Sequence, residues 1–290
     1  PYMHYGVVSA TGEQLSLIPI ELPGPRLPHD MAITEHYSIL MDLPVCVDTE
    51  ALQRGRWRSV YRPELGSRFA VIPRHGKAED VRWFKAEPCY IYHVVNSWEE
   101  GDEVIMVAHK VAKPVANSDE STASEFERML QNLQMNAELW EWRFNLQTGE
   151  TAERCLDTVN AEFPTTNPRD QGYPTRYGYA VTIGPLPALR FDGIRKYDFA
   201  SGEHQEVRFG PGIYGSESPF APSTVATAED QGYLLSFVQD ELNERSELWI
   251  YDARNLQAGP CTRLAIPQRV PLGFHACWVE GKDLKAKAPA

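Results

Sequence analysis

Three of the eight histidines lie in segments that could bring imidazole groups together inside a fold. His29 follows a proline in LPHDMAIT, His93 lies in the apolar and aromatic segment YIYHVVNSW, and His275 lies in VPLGFHACWV. We expect all three on inner, buried strands, where a neutral imidazole must find polar partners or cost free energy. Separations of 64 and 182 residues exclude a local zinc finger or an HExxH helix. An all-imidazole site suits zinc, copper or iron, and not magnesium or calcium.

The remaining five histidines lack such a context and are interpreted as ordinary surface or core residues. They are His4, His36, His75, His109 and His204. A site built from imidazole therefore depends on a scaffold that brings His29, His93 and His275 together.

Short apolar or aromatic segments joined by polar turns predict strand after strand along the chain. Five pairs of segments have the form of hairpins: DMAIT with YSILMDL, CYIYHVVNSW with EVIMVAHKV, LWEWRFNL with TAERCL, GIRKYDF with HQEVRF, and GYLLSFVQD with ELWIYDARNL. One segment, SDESTASEFERMLQNL at 118–133, has the polar start and apolar spacing of a helix. The pattern predicts an all-β fold with a single helix on a loop.

Three of these strands resemble one another and indicate an internal repeat. They begin at Leu139, Ile194 and Leu248, with spacings of 55 and 54 residues, and a looser copy begins at Phe69. A period near fifty residues in an all-strand chain is typical of propeller blades of about four strands. At most about five such blades fit in this length, and a β-sandwich with coincidental hairpins is the alternative.

Composition narrows the class of partner. The formal net charge is −12, and no basic stripe interrupts it, so nucleic acid and anionic lipid are not expected partners. The five cysteines are scattered and form no CxxC, which favours reduced thiols in a cytoplasmic protein. No apolar run approaches the length of about 20 residues that a membrane span needs.

Five segments, in order along the chain, resemble signature segments of the carotenoid cleavage oxygenases, a family that includes the lignostilbene dioxygenases and the retinal-pigment isomerase. They are HDMAITEHYSILMDLP, YHVVNSWEEGDEV, AEFP, GSESPF followed by AEDQGYLL, and PLGFHACWV. The resemblance implies a seven-bladed β-propeller, of which this chain covers roughly the last four to five blades. It further implies a partial catalytic domain over 1–281 and a C-terminal tail at 282–290.

In this family four histidines bind iron(II), and glutamates behind them accept the second imidazole N–H. The resemblance implies that His29, His93 and His275 are three of those ligands. It also implies that Glu162 of AEFP supports His93 and that Glu217 of GSES supports His275. Such a carboxylate fixes the tautomer of the ring and aims it at the ion.

The fourth histidine of the family has no counterpart here. His4 is the one histidine that precedes His29, and its context, YMHYG, does not match. We therefore expect the fourth ligand upstream of residue 1 and interpret the sequence as a C-terminal part of a longer protein. A naturally short relative with another ligand or no activity is the alternative.

The reaction that the resemblance implies is cleavage of a conjugated C=C bond by O2, giving two carbonyl products. A carotenoid or apocarotenoid is the expected substrate, with a lignostilbene-type stilbene as the alternative. A metal-free propeller that only binds a partner is a third possibility. Tyr92, Trp98, Phe220 and Phe274 are candidates to line a substrate tunnel, against plain core packing. Membrane contact is possible but not indicated, and the oligomeric state stays open.

Overall fold

The computed structural model describes residues 1–114, 135–185 and 188–284. They form two compact units, which are described separately. The first comprises Pro1–Glu162, Asp170–Thr175 and Ile183–Leu189, and the second comprises Phe163–Arg169, Arg176–Thr182 and the residues from Arg190 onward. The predicted helix at 118–133 lies outside the described residues, as do the last six residues of the predicted tail.

Two small hairpins and one four-stranded sheet make up the N-terminal part of the first unit. The strands are β1 (Met3–Val8), β2 (Gln14–Ile20), β3 (Ala32–Ile33), β4 (Tyr37–Asp42), β5 (Val45–Val47), β6 (Ser59–Tyr61), β7 (Ser67–Pro73) and β8 (Arg82–Ala86). β1 pairs with β2 and β5 with β6, while the antiparallel sheet has the order β3-β4-β7-β8. Between β5 and β6 lies the short helix α1 (Thr49–Gln53), whose first backbone N–H groups bond to the carboxylate of Asp48.

A second four-stranded sheet completes the first unit and carries His93. Its strands are β9 (Tyr90–Glu100), β10 (Glu103–Val111), β11 (Ala137–Asn145) and β12 (Thr151–Asp157), and its order is β12-β11-β10-β9. Phe69 of β7 lies 5.9 Å from Trp142 and 5.2 Å from Phe144 of β11, measured between ring centroids. These rings are fully buried, so apolar burial holds the two sheets of this unit together.

The second unit is built from two further sheets. The strands are β13 (Ala161–Thr165), β14 (Tyr177–Ile183), β15 (Phe191–Asp198), β16 (His204–Arg208), β17 (Ile213–Tyr214), β18 (Phe220–Pro222), β19 (Gly232–Asp240), β20 (Arg245–Asp252) and β21 (Thr262–Ile266). One sheet has the order β13-β14-β15-β16; the other has the order β17-β19-β20-β21, with β18 also paired to β19. Their shared core is aromatic and includes Tyr179, Phe209 and Trp249.

The repeat in the sequence corresponds to the third strand of each large sheet. Phe69 lies in β7, Leu139 in β11, Ile194 in β15 and Leu248 in β20, and each of these strands is third in its sheet when counted from the edge strand that comes first in the chain. All five predicted hairpins are present as antiparallel pairs. Four sheets built on a four-strand meander agree with the prediction of four to five propeller blades.

Helical structure is minor in the described part of the chain. Besides α1, there are single 3-10 turns at Pro63–Leu65, Ala78–Asp80, Pro168–Asp170, Leu256–Ala258 and Gly281–Asp283. None of the described helices is long and apolar enough to cross a membrane.

An ion pair at the end of β15 makes the stability of the second unit depend on pH in the acidic range. The Arg176 guanidinium contacts both carboxylate oxygens of Asp198 at 2.6–3.1 Å, and this contact lowers the pKa of Asp198 to about 2. A carboxyl whose pKa is lowered in the folded state stabilises it above the unfolded pKa of about 4 and loses that effect as the pH falls through about 2.

We therefore predict that Asp198→Asn lowers the urea midpoint of unfolding at pH 5, and that its difference from the wild type shrinks steadily towards pH 2.5. Glu203→Gln, an exposed carboxyl on the same β15–β16 hairpin, is the matched control and should leave the pH dependence unchanged. A difference for Asp198→Asn that stays constant over this pH range would contradict the assignment.

Candidate metal centre

His93 is held on β9 by the carboxylate of Glu162. The Nδ1 atom of His93 lies 2.7 Å from Oε2 of Glu162, and the backbone N–H of His93 donates to Oε1 at 3.2 Å. Glu162 is fully buried, at 0% exposure. An ionised carboxylate only accepts hydrogen bonds, so Nδ1 carries the proton and Nε2 carries the lone pair that a metal ion would take.

His29 lies beside His93 in the first unit. Their ring centroids are 5.1 Å apart with an interplanar angle of 83°, and the ring of Tyr92 lies 5.1 Å from His29 on another side. Two imidazoles that share an ion, each at an N–metal distance of about 2 Å, have a similar separation and mutual tilt. The first unit thus holds two imidazole rings in an arrangement that would fit one transition-metal ion.

His275 has the same kind of carboxylate support within the second unit. Its Nδ1 atom lies 3.2 Å from Oε2 of Glu217, and that oxygen also accepts the backbone N–H of Ala276 at 2.6 Å. In both units, therefore, one carboxylate bonds to an imidazole and to a backbone amide at or next to that imidazole. Imidazole nitrogen is a donor that suits a borderline-soft divalent cation.

The expectation that all three histidines lie on buried strands is wrong for two of them. His29 lies in an irregular segment ahead of β3, His275 lies in an irregular segment after β21, and both are exposed. Pro28 precedes His29, and Pro271 and Gly273 precede His275, so these segments lack ladder donors or regular strand geometry. Only His93 is on a strand, and it is half-buried.

Phe163 was not singled out from the sequence. It follows Glu162 directly and has φ of 52°, a left-handed conformation that is costly for an aromatic residue. In the second unit its ring, which is 5% exposed, lies 5.4 Å from the ring of His275 and 4.9 Å from that of Phe191. The AEFP segment marked the position, but nothing in the sequence around Phe163 indicates a positive φ at this residue.

His109 also received no role from the sequence, yet it is completely buried on β10. Burial is the main cause that lowers its pKa to about 4, and the charge of nearby Glu162 opposes that shift. His109 is therefore neutral at physiological pH. The other four histidines outside the centre, His4, His36, His75 and His204, are exposed, as expected of ordinary surface residues.

The four candidate lining residues fall into two groups. Tyr92 packs against His29, and Phe274, 53% exposed, stacks on Phe163 in the second unit. Trp98 and Phe220 are buried: Trp98 donates its indole N–H to Glu100, and Phe220 belongs to the aromatic core of the second unit. Core packing, the alternative considered for all four, describes Trp98 and Phe220, whereas lining by Tyr92 and Phe274 stays a prediction.

Comparison with known proteins identifies the family. A sequence model described as retinal pigment epithelial membrane protein matches residues 1–280. The chain belongs to this family, that of the carotenoid cleavage oxygenases, and the resemblance carried by the five segments is confirmed. It is 33% identical to carotenoid 9,10(9',10')-cleavage dioxygenase 1 of Phaseolus vulgaris over 99% of its length, and 34% identical to the Crocus sativus carotenoid 9,10(9',10')-cleavage dioxygenase over 98%. It spans only 55% and 54% of these two relatives.

Solved structures agree with the fold. The lignostilbene dioxygenase of Pseudomonas brassicacearum is similar over 96% of this chain and 60% of that chain, with a TM-score of 0.84 and 27% identity. A cobalt-substituted apocarotenoid oxygenase from Synechocystis is similar over 94% of this chain and 57% of that chain, with a TM-score of 0.83 and 23% identity. The predicted fold class, an all-β chain covering part of the propeller of this family, is confirmed.

We predict that Glu162→Gln lowers the affinity for a divalent metal by about 10- to 100-fold, because a neutral amide cannot accept both N–H groups of His93. Cobalt(II) titration of the apoprotein measures this. Glu99→Gln is the matched control, since Glu99 contacts Nδ1 and the backbone N–H of the exposed His36 in the same way, each at 2.9 Å. Equal cobalt affinities for the two variants would contradict a metal role for Glu162.

Proposed function

We propose that the protein is an iron(II)-dependent dioxygenase that cleaves a conjugated C=C bond of a carotenoid or apocarotenoid with O2, giving two carbonyl products. The observation that carries this proposal is the pairing of His93 with Glu162 and of His275 with Glu217, in a chain of the carotenoid cleavage oxygenase family. Each pair would orient an imidazole so that its other ring nitrogen can bind a metal ion.

Iron(II) would be bound through Nε2 of His93 and His275, whose Nδ1 atoms contact carboxylates, and through a ring nitrogen of His29. The family resemblance implies a fourth histidine ligand, and we assign no residue of this sequence to that position. Imidazole nitrogen suits iron, copper or zinc, and only the redox-active metals among them suit reaction with O2. When bound, iron(II) with open coordination positions supplies the activation of dioxygen.

The carboxylates would set the charge and the tautomer of the site. Glu162 and Glu217 each keep Nδ1 protonated, so that the opposite nitrogen of each ring remains a ligand. Together the two carboxylates offset the charge of a divalent ion without occupying positions on it.

Aromatic side chains would orient the substrate. Tyr92 lies against the ring of His29, and burial raises the pKa of its hydroxyl, so it is neutral at physiological pH. Phe163 and Phe274 stack with an interplanar angle of 7° in the second unit. Flat, apolar surfaces of this kind suit a conjugated polyene, which offers extended π surface and few polar groups.

The names of the relatives favour a carotenoid. The proteins at 33–34% identity are carotenoid cleavage dioxygenases, whereas the lignostilbene dioxygenase is 27% identical. The latter supports a phenolic stilbene as the second candidate. A metal-free binding propeller is the third, and the two carboxylate–imidazole pairs argue against it.

We predict that His93→Ala removes bound iron and reduces alkene cleavage by at least about 100-fold, because the site loses a ligand and Glu162 loses its partner. Metal analysis of the purified protein and oxygen uptake with an alkene measure both effects. His204→Ala, an exposed histidine on β16, should change neither. Cleavage by His93→Ala at the wild-type rate would refute the ligand assignment.

Product analysis distinguishes the substrate classes. With a β-apo-carotenal and a hydroxystilbene offered in parallel, we expect aldehyde or ketone products from the apocarotenoid. Cleavage of the stilbene alone would make the second candidate the function. A protein that neither binds iron(II) nor consumes oxygen with either alkene would leave the binding propeller as the remaining interpretation.

A further inference from the structure

The residue after His29 connects the two histidines of the first unit. Oδ2 of Asp30 accepts the backbone N–H of Val94 at 2.8 Å, and Oδ1 accepts the N–H of Met31 at 2.7 Å. Val94 directly follows His93. The residue next to His29 thus bonds to the backbone of the residue next to His93.

The backbone around His93 departs from the regular ladder. Ile91 pairs with Lys110 and Asn96 with Val107, so five steps along β9 face three steps along β10. The two extra residues form bulges, which leave local backbone groups without regular ladder partners. Two carboxylates supply such partners: the N–H of His93 donates to Glu162, and the N–H of Val94 donates to Asp30.

Three contacts attach the segment 27–33, which carries His29, to β9 at regular intervals. The hydroxyl of Tyr90 donates to the carbonyl of Leu27 at 2.5 Å, and the hydroxyl of Ser97 donates to the carbonyl of Ile33 at 2.7 Å. The contact of Asp30 with Val94 lies between them. Its acceptor is a carboxylate, and hydrogen bonds to an ionised acceptor are generally stronger than those between neutral groups.

We propose that Asp30 is a positioning residue that sets the separation of His29 and His93 and thereby the coordination geometry of the ion they share. Asp30 does not itself bind the ion in this account. The proposal rests on the metal site of the proposed function and extends it to the backbone that carries the ligands. His29 is exposed and outside any strand, so its ring position depends on such anchoring more than that of His93.

Cobalt(II) loading of the apoprotein tests this, because the visible ligand-field spectrum reports coordination geometry independently of turnover. Asp30→Asn keeps the size of the side chain but places an NH2 group opposite one of the two N–H donors. We expect it to bind cobalt about 10- to 100-fold more weakly and with a shifted spectrum, as for loss of an outer partner of a ligand.

Asp48→Asn is the matched control. Asp48 also accepts two backbone N–H groups, those of Glu50 and Ala51 at 3.1 and 3.0 Å, but it does so at the start of α1. We expect Asp48→Asn to shift the melting temperature of the apoprotein and to leave the cobalt spectrum and affinity unchanged. A purely structural role for Asp30 would give that same result for Asp30→Asn.

The outcomes separate the two proposals. A wild-type spectrum and affinity in Asp30→Asn would overturn the positioning role while leaving the metal site intact. A wild-type protein that binds cobalt but cleaves no alkene would overturn the proposed reaction, and the spectrum would still decide the role of Asp30. A wild-type protein that binds no cobalt would overturn the metal site and the role of Asp30 with it.

Discussion

The bond between Glu162 and His93 is the interaction on which the proposed chemistry depends most. A carboxylate with no exposed surface is expensive to bury unless its oxygens are satisfied, and His93 satisfies both of them, through Nδ1 and through its backbone N–H. The same contact decides which ring nitrogen can bind a metal. Stability and ligand orientation are thus supplied by one residue pair 69 positions apart in the chain.

The sheets explain why such a pair can form. β9 is the edge strand of its sheet, so one side of its backbone is available to side chains from elsewhere. Its bulges bring consecutive amides, those of His93 and Val94, to carboxylates from two distant segments. The second unit repeats the device with Glu217, which bonds to His275 and to the amide of Ala276. In the first unit the sheet fixes the backbone around His93, whereas Glu217 and His275 of the second unit both lie in irregular segments.

The regular part of this fold could be predicted because its signals are local. Alternating apolar residues and polar turns located the hairpins, and the period of about fifty residues located the third strand of each large sheet. The contacts of Glu162 and Glu217 could not be derived from spacing, since they join residues 69 and 58 positions apart. Only the family resemblance indicated them.

The prediction that His29 and His275 lie on buried strands was wrong. An apolar segment next to a proline has the same composition whether or not its backbone pairs with a neighbouring strand. The positive φ of Phe163 and the contact of Asp30 with Val94 depend on tertiary structure and have no signature in the sequence.

The central claim is that one iron ion is bound by His29, His93 and His275. An anomalous difference map at the iron edge, from crystals of the iron-loaded protein, tests it most directly. The account predicts a single strong peak at about 2 Å from one ring nitrogen of each of these histidines, which is Nε2 in His93 and His275, with Glu162 and Glu217 on the far sides of those two rings. A peak bound elsewhere, or one that contacts only one of the three, would contradict it.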